Sequence, residues 1–373
     1  AGKLVWVDDD TRTYLSGECG YSPLINPEET REGLRRNFAK VLCRLCPLGY
    51  LPIESGLELD DAGVAHDIRI IRRAGELALA NNVERHPEIA VVIDEDSVKY
   101  LKYDAERLPS GEVDRIIGWN GNVANTPRSV NTLTGDLISY QRDRIARIGA
   151  PVDYLLFSDL PKYEHVYKLF IMLSCLQYDE AELQAVRDKL QAKPTTVLWC
   201  YAPGFIHEAT ATVQNMEALT GISLAVLDAP SSPQTNIVDL TTPFCGPALD
   251  STTFGVEYAF APLFHVVDDR AMALGRYCDT GKISLAVKQV GVSTSIFCGS
   301  NKLSAGLLHS IAGAAGVHLY SDSLEPCDAN DRFVYLHSSQ TGPKAVALRQ
   351  PGDVIDVYEG KLLFENVDHF TID

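Results

Sequence analysis

The sequence is short of several things, and each shortage closes off a class of function. No stretch approaches the ~18 unbroken apolar residues that a membrane-spanning helix needs. Basic residues are scarce: 33 Lys and Arg stand against 50 Asp and Glu, for a net charge of −17. A nucleic-acid groove wants clustered cations, and anionic lipid repels such a chain, so neither is an expected partner. No Gly-rich loop lies beside the acids at Asp94–Asp96, so a phosphate site is not expected there. His265, His309, His318 and His337 are not at metal-ligand spacing. Cys43 and Cys46 form one CxxC pair, but no second pair follows at zinc-ribbon distance, and inside an apolar helical pattern both read as buried small hydrophobes. No cofactor and no metal are therefore expected. The nine cysteines are odd in number and scattered. That is the usage of reduced thiols, which leans towards a cytoplasmic setting without fixing the compartment. Neither an initiator Met nor a signal peptide opens the chain, and a strand begins almost at once. The expectation is that residues belonging before Ala1 are absent from it.

What is present is an α/β pattern. Apolar runs at Ile89–Ile93, Val152–Phe157, Tyr167–Ser174 and Thr195–Tyr201 are rich in large hydrophobes, as strands buried on both faces are. Between the last two, Leu183, Val186 and Leu190 recur at helical spacing within Asp179–Gln191. Strand, helix and strand in this order predict a right-handed βαβ unit. Further helices are expected over Leu137–Ile148, closed by Gly149, over Val213–Leu219, closed by Gly221, and over Leu303–Gly316. Ala271–Gly275 reads as a short helix. Ile222–Leu227, Tyr258–Val267, Ile283–Val290, Thr294–Cys298 and Val317–Tyr320 read as strands, and Ala229–Thr253 as a long connection. Together these predict one open parallel sheet from Glu88 to Tyr320.

Before that sheet lie two strand–helix units. Lys3–Val7 is a strand, Asn26 and Pro27 start a helix through Leu34, Phe38 and Leu42, Tyr50–Glu54 is a second strand, and Val64–Leu79 a second helix. After it, short alternating runs at Phe333–His337, Ala345–Leu348, Val354–Val357 and Leu362–Phe364 predict a small antiparallel unit. The expected division is 1–85, 86–325 and 326–373.

Chemistry is concentrated at Asp8, Asp9, Asp10, Thr11 and Arg12, at the C-terminal end of the first strand. That is where barrels and doubly wound sheets carry their active sites. Arg12 is placed to keep one carboxylate ionised while another meets substrate; the alternative is a solvated loop whose Arg caps the next helix. Glu54, at the end of the second strand, would share that rim, and two carboxylates across one cleft are what glycoside hydrolysis uses. An ordinary loop glutamate is the alternative. Asp94–Asp96 has the same placement on the main sheet, with a helix-capping or interface role expected. Cys200 precedes a turn at Ala202–Gly204 but lies inside the strand, so it does not form a nucleophile elbow.

The run from Gly2 to Thr13 (GKLVWVDDDTRT), followed by Leu34–Phe38 (LRRNF), resembles the last part of the catalytic barrel of β-galactosidase-like glycoside hydrolases. These are similar to glycoside hydrolase family 42. Arg147–Tyr154, Ser158–Leu160, Tyr167–Phe170 and Tyr201–Gly204 resemble the domain that follows that barrel, and Ala315–Tyr320 with the terminal strands resembles its tail. The resemblance implies a partial (β/α) barrel, a flavodoxin-type, glutamine-amidotransferase-like domain without amidotransferase activity, and a small C-terminal β domain. It also implies a carbohydrate substrate, a two-carboxylate retaining mechanism, and a homo-oligomer or a companion chain carrying the rest of the barrel. Relatives carry an acid, usually Glu, just before their Asp-Thr-Arg-Thr run; Asp8 stands nearest that place and is one methylene shorter. Asp8, Asp10, Arg12 and Glu54 are thus the candidate catalytic residues. The segment that would supply the partner acid/base is not in this sequence, so hydrolysis by this chain alone is not expected. The competing expectation is a non-catalytic oligomerisation or carbohydrate-binding module.

Overall fold

The computed structural model describes residues 5–16, 24–51, 58–100, 135–246 and 249–372. The chain divides into two compact units: one holds the residues up to His86 together with those from Tyr320 on, and the other runs from Pro87 to Leu319.

The larger unit is built on a nine-stranded sheet. Its order is Thr253–Phe254, Thr235–Ile237, Met272–Tyr277, Ile283–Val290, Ser293–Cys298, Thr196–Cys200, Leu169–Met172, Ile89–Ile93 and Val152–Leu156. The last five strands are mutually parallel, with Leu198 opposite both Ile296 and Ile171, and Val91 opposite Ile171 and Tyr154. Taken in chain order, these five lie 2-1-3-4-5 across the sheet. Side chains alternate between two apolar layers. Leu169, Ile171 and Leu198 face one, and Phe170, Met172, Val197 and Trp199 face the other. Burial on both faces is why these segments are unbroken apolar runs. The helix Glu180–Ala192 starts in a capping box, Asp179 and Glu182 each receiving the other's backbone N–H, and buries Leu183 and Val186 in the second layer. Ala305–Ala314 lays Leu307, Leu308 and Ile311 into the first.

Several expectations are corrected here. The sheet is mixed, because the four strands beyond Ser293–Cys298 are antiparallel to their neighbours. Ala271–Gly275 is not a helix. Met272–Tyr277 is a strand between Thr235–Ile237 and Ile283–Val290, and the bare Cα of Gly275 admits Thr235 Cγ2, which would lie 2.7 Å from a Cβ there. Ladder pairing on both sides outweighs the helix preference of Ala, Met and Leu. The helix expected over Leu137–Ile148 is a single π turn, Gly135–Ser139, followed by Tyr140–Ala146. Val317–Tyr320 is not a strand. Of Tyr258–Val267, Phe264–Val266 forms a strand, paired with Leu224–Val226 outside the main sheet, and Phe260 makes an isolated bridge to Ser231. The connection Ala229–Thr253 contains the strand Thr235–Ile237.

In the smaller unit, Val7–Asp9 pairs in parallel with Leu48–Tyr50, and the helices Pro27–Cys43 and Ala62–Ala80 follow the two strands. Asn26 caps the first helix through the Glu29 amide, with Pro27 at its first position, and Asp61 caps the second through Val64. Their facing sides bury Phe38, Leu42, Ile71, Ala74 and Ala78, and the later residues Phe333 and Tyr358 close the same core. Asn330 donates to the Leu42 carbonyl at 3.1 Å, and Arg44 pairs with Asp328 at 3.0 Å. The C-terminal hairpin of Lys344–Ile355 with Leu362–Ile372 completes the unit.

Candidate functional site

Asp8 and Asp9 are the last two residues of the strand Val7–Asp9 and so face opposite sides of it, and Asp10 follows just past its end. The structure separates their roles. Asp9 is buried on the side of the helix Pro27–Cys43. Its Oδ1 accepts from the Thr11 amide at 3.1 Å and the Thr11 hydroxyl at 2.5 Å, and Asn37 Nδ2 lies 3.2 and 3.1 Å from its two oxygens. Asn37 also donates to Thr11 Oγ1 at 2.8 Å. That is an Asx turn locked by a helix side chain, and it fixes the course of the chain after the strand. Tyr50, opposite Asp9 in the ladder, has a buried hydroxyl with no hydrogen-bond partner among the described residues. Burial first, then the carboxylates of Asp9 and Asp67, push its phenol well above the usual range.

Asp8 points the other way and is exposed. Its Oδ1 accepts the Trp6 indole N–H at 2.7 Å. Trp6 in turn lies across the neighbouring strand at Gly49, where a Cβ would come within 2.8 Å of the indole Cζ2. Asp10, whose side chain is 38% exposed, is ion-paired with Arg12, which is buried to 8% and also reaches the Asp10 carbonyl at 3.2 Å. Arg12 and Asp10 are therefore brought together, Asp8 stands free of them on its indole donor, and Glu54 lies outside the described residues. Thr13 and Tyr14 tie the segment down: Thr13 Oγ1 donates to the Glu58 carbonyl, and the Tyr14 hydroxyl donates to Asp61 at 3.0 Å.

Reasoning from the sequence did not single out Trp6 or Asn37. Asn37 was visible only as part of the LRRNF run, and Trp6 only as a strand residue. The helix that carries Asn37 is aligned by Asp67, which accepts two-pronged hydrogen bonds from both Arg31 and Arg35 at 2.8–3.0 Å. Burial opposes the charge on Asp67, but the two guanidiniums outweigh it and hold the carboxyl below its ordinary range.

Other candidates resolve into structural roles. Asp94 accepts from the Asp96 amide at 3.0 Å and from the Ser97 hydroxyl, capping the short helix Asp96–Tyr100; burial raises its pKa against those bonds. Cys200 is fully buried, and desolvation drives its thiol well above the usual range. The residue at the sharp turn is Tyr201, in the left-handed region at φ 64°, and its hydroxyl donates to the Pro262 carbonyl at 2.9 Å. The eight described cysteines are all free thiols. Among the described residues no group of three or more His, Cys, Asp or Glu side chains could hold a metal ion, and no helix is long and apolar enough to cross a membrane.

The architecture is shared with solved glycosidases of low sequence identity. The chain superposes on the β-galactosidase of Rahnella sp. R3 with a TM-score of 0.57 at 15% identity, covering 100% of this chain and 53% of that one. The β-galactosidase of Bacillus circulans sp. alkalophilus gives 0.54 at 14% identity, covering 86% and 45%. That of the haloarchaeon Halorubrum lacusprofundi gives 0.53 at 15%, covering 100% and 53%. The fold is thus β-galactosidase-like, and the chain spans about half the length of the structures it matches. No protein-family model and no curated protein sequence matches it.

Proposed function

We propose that this chain is the C-terminal part of a β-galactosidase-like glycoside hydrolase, acting on a glycosidic bond by a two-carboxylate retaining mechanism. The observation that carries this reading is the orientation of Asp8. Its carboxylate is exposed at the C-terminal end of a parallel strand, on the side away from the Asn37-bearing helix, in a fold shared with β-galactosidases. In this reading residues 1–85 are the last two strand–helix units of a (β/α) barrel. The five parallel strands, in the order 2-1-3-4-5, form a flavodoxin-type, amidotransferase-like domain over residues 86–325, and residues 326–373 are a small β domain.

Asp8 is the nucleophile. Its indole donor holds one oxygen, and its Oδ2 has no hydrogen bond among the described residues and is left to attack the anomeric carbon. Asp10, neutralised by Arg12, supplies an acceptor for substrate hydroxyls; Glu54, outside the described residues, is a second candidate by its place in the sequence alone. The acid/base comes from the remainder of the barrel, in the same polypeptide or a companion chain. Hydrolysis of a chromogenic galactoside by the complete assembly is expected to fall by about three orders of magnitude or more in Asp8→Asn. Unchanged turnover in that variant contradicts the assignment. The alternative, a carbohydrate-binding or oligomerisation module, is favoured if the complete assembly binds galactoside without cleaving it.

A further inference from the structure

Beyond the fifth parallel strand, Ser293–Cys298, the chain turns through residues 299–303 into the helix Ala305–Ala314. That loop is held by the π turn Gly135–Ser139 and the helix it opens. A π turn sets residues five apart one above the other, so Asp136 and Gln141 both reach the loop. Asp136 is the hub. It accepts from Asn301 Nδ2 at 2.8 Å and from the Tyr258 hydroxyl, and it pairs with Lys302 Nζ at 3.2 Å. Gln141 Oε1 accepts the Leu303 amide at 3.1 Å. Each amide side chain thus commits one end. The other ends, Gln141 Nε2 and Asn301 Oδ1, are fully buried and have no hydrogen-bond partner among the described residues.

The partners that are made fix both orientations. Turning Asn301 over would set its oxygen against the Asp136 carboxylate, and turning Gln141 over would set its NH2 against the Leu303 N–H. What remains is one donor and one acceptor in a single corner, and buried groups of this kind are costly when left unmade. The ligand matched to them accepts one hydrogen bond and donates another, which describes water, and two polar partners suffice to hold a buried water.

We propose that one internal water bridges Gln141 Nε2 to Asn301 Oδ1 and completes the seam between the π turn and the loop after the fifth strand. The site lies in the larger unit and is independent of the glycoside reading. It also gives the π turn a purpose, because in a regular α-helix residues 136 and 141 would lie on different faces.

The test is a crystal structure of the complete assembly at a resolution that shows ordered waters, for the natural protein and for Asn301→Leu and Gln141→Met. In the natural protein one water is expected within about 3.2 Å of both atoms. Each variant that folds, as judged by circular dichroism, should lose that water while the remaining amide keeps its protein partner. A natural structure in which the two amides bond each other directly, or each finds a protein partner, overturns the proposal. So does one with no water peak at the corner. A water that stays in place in Asn301→Leu is not held by Asn301, and that result overturns the bridge; if neither variant folds, the natural structure alone decides.

Discussion

At the residue scale, three adjacent aspartates with the same chemistry acquire three environments. Asp9 is tied to Thr11 and Asn37, Asp10 to Arg12, and Asp8 to Trp6. The sequence identifies the cluster because acids after a parallel strand are conspicuous. It cannot sort them, because the sorting depends on which face meets the helix that begins about seventeen residues later in the sequence. Asn37→Ala should therefore reduce turnover of the complete assembly through Asp9 and the turn, while leaving galactoside affinity near that of the natural protein. Calorimetry and initial rates on the same preparations separate the two effects. A different residue makes a cleaner thermodynamic prediction. Burial raises Glu182 to about 7, with the Asp179 amide opposing and the Asp179, Asp94 and Glu95 charges adding to it. Its folded-state value lies above the unfolded one, so the folded protein holds the extra proton between about pH 4.5 and 7, and stability falls as pH rises through that window. Glu182→Gln should be close to neutral at about pH 4.5. At about pH 7.5 it should be stabilising relative to the natural protein by on the order of 2 kcal/mol, read from urea midpoints. A constant difference across that range would show that Glu182 is ionised throughout. Cys200 should resist iodoacetamide in the folded protein while the exposed Cys278 reacts, which peptide mass mapping can read.

At the element scale, legibility follows burial. Ile89–Ile93 and Ile283–Val290 are strands over the residues the pattern predicts: the first is an apolar run between Glu88 and Asp94, and the second has the buried apolar centre Leu285–Val287. The helix Glu180–Ala192 was legible from the spacing of Leu183, Val186 and Leu190, and the structure adds the capping box that starts it. Strand direction was not legible: nothing local in Ile283–Val290 says that it runs antiparallel to Ser293–Cys298 while Thr196–Cys200 runs parallel. Nor was Ala271–Gly275, four good helix formers and a glycine drawn into a ladder between Thr235–Ile237 and Ile283–Val290. The left-handed backbone at Tyr201 left no trace in its residue type, since Tyr rarely adopts it. Between elements, Asp67 joins the two helices of the smaller unit through Arg31 and Arg35. Removing the carboxylate charge leaves two guanidiniums facing each other with only the exposed Glu32, 3.0 Å from Arg35, as an ion-pair partner among the described residues. Asp67→Asn should cost about 3 kcal/mol in the stability of that unit, measured by denaturant unfolding. A loss below about 0.5 kcal/mol would mean that solvent replaces the pairing.

At the scale of the whole molecule, the chain order hides one feature that the contacts reveal. The first 86 residues and those from Tyr320 on share a core, sealed by Phe333 and Tyr358 against Phe38 and Leu42 and by the Asn330 bridge to Leu42. Pairing of segments some 300 residues apart leaves no periodic signal, so sequence reading presents them as separate ends. The net charge of −17 acts at the same scale. The protein should pass through heparin unretained at about 0.15 M salt, and retention there would expose a basic surface that the overall charge conceals. The central claim is that Asp8 is the nucleophile of a galactoside-cleaving site completed by the rest of a barrel. The most direct test is trapping with a 2-deoxy-2-fluoro galactoside on the complete assembly, followed by peptide mass analysis. The account predicts a covalent sugar on the peptide carrying Asp8, absent from Asp8→Asn. A label on any other carboxylate of this chain, or hydrolysis that proceeds undiminished in Asp8→Asn, would contradict it.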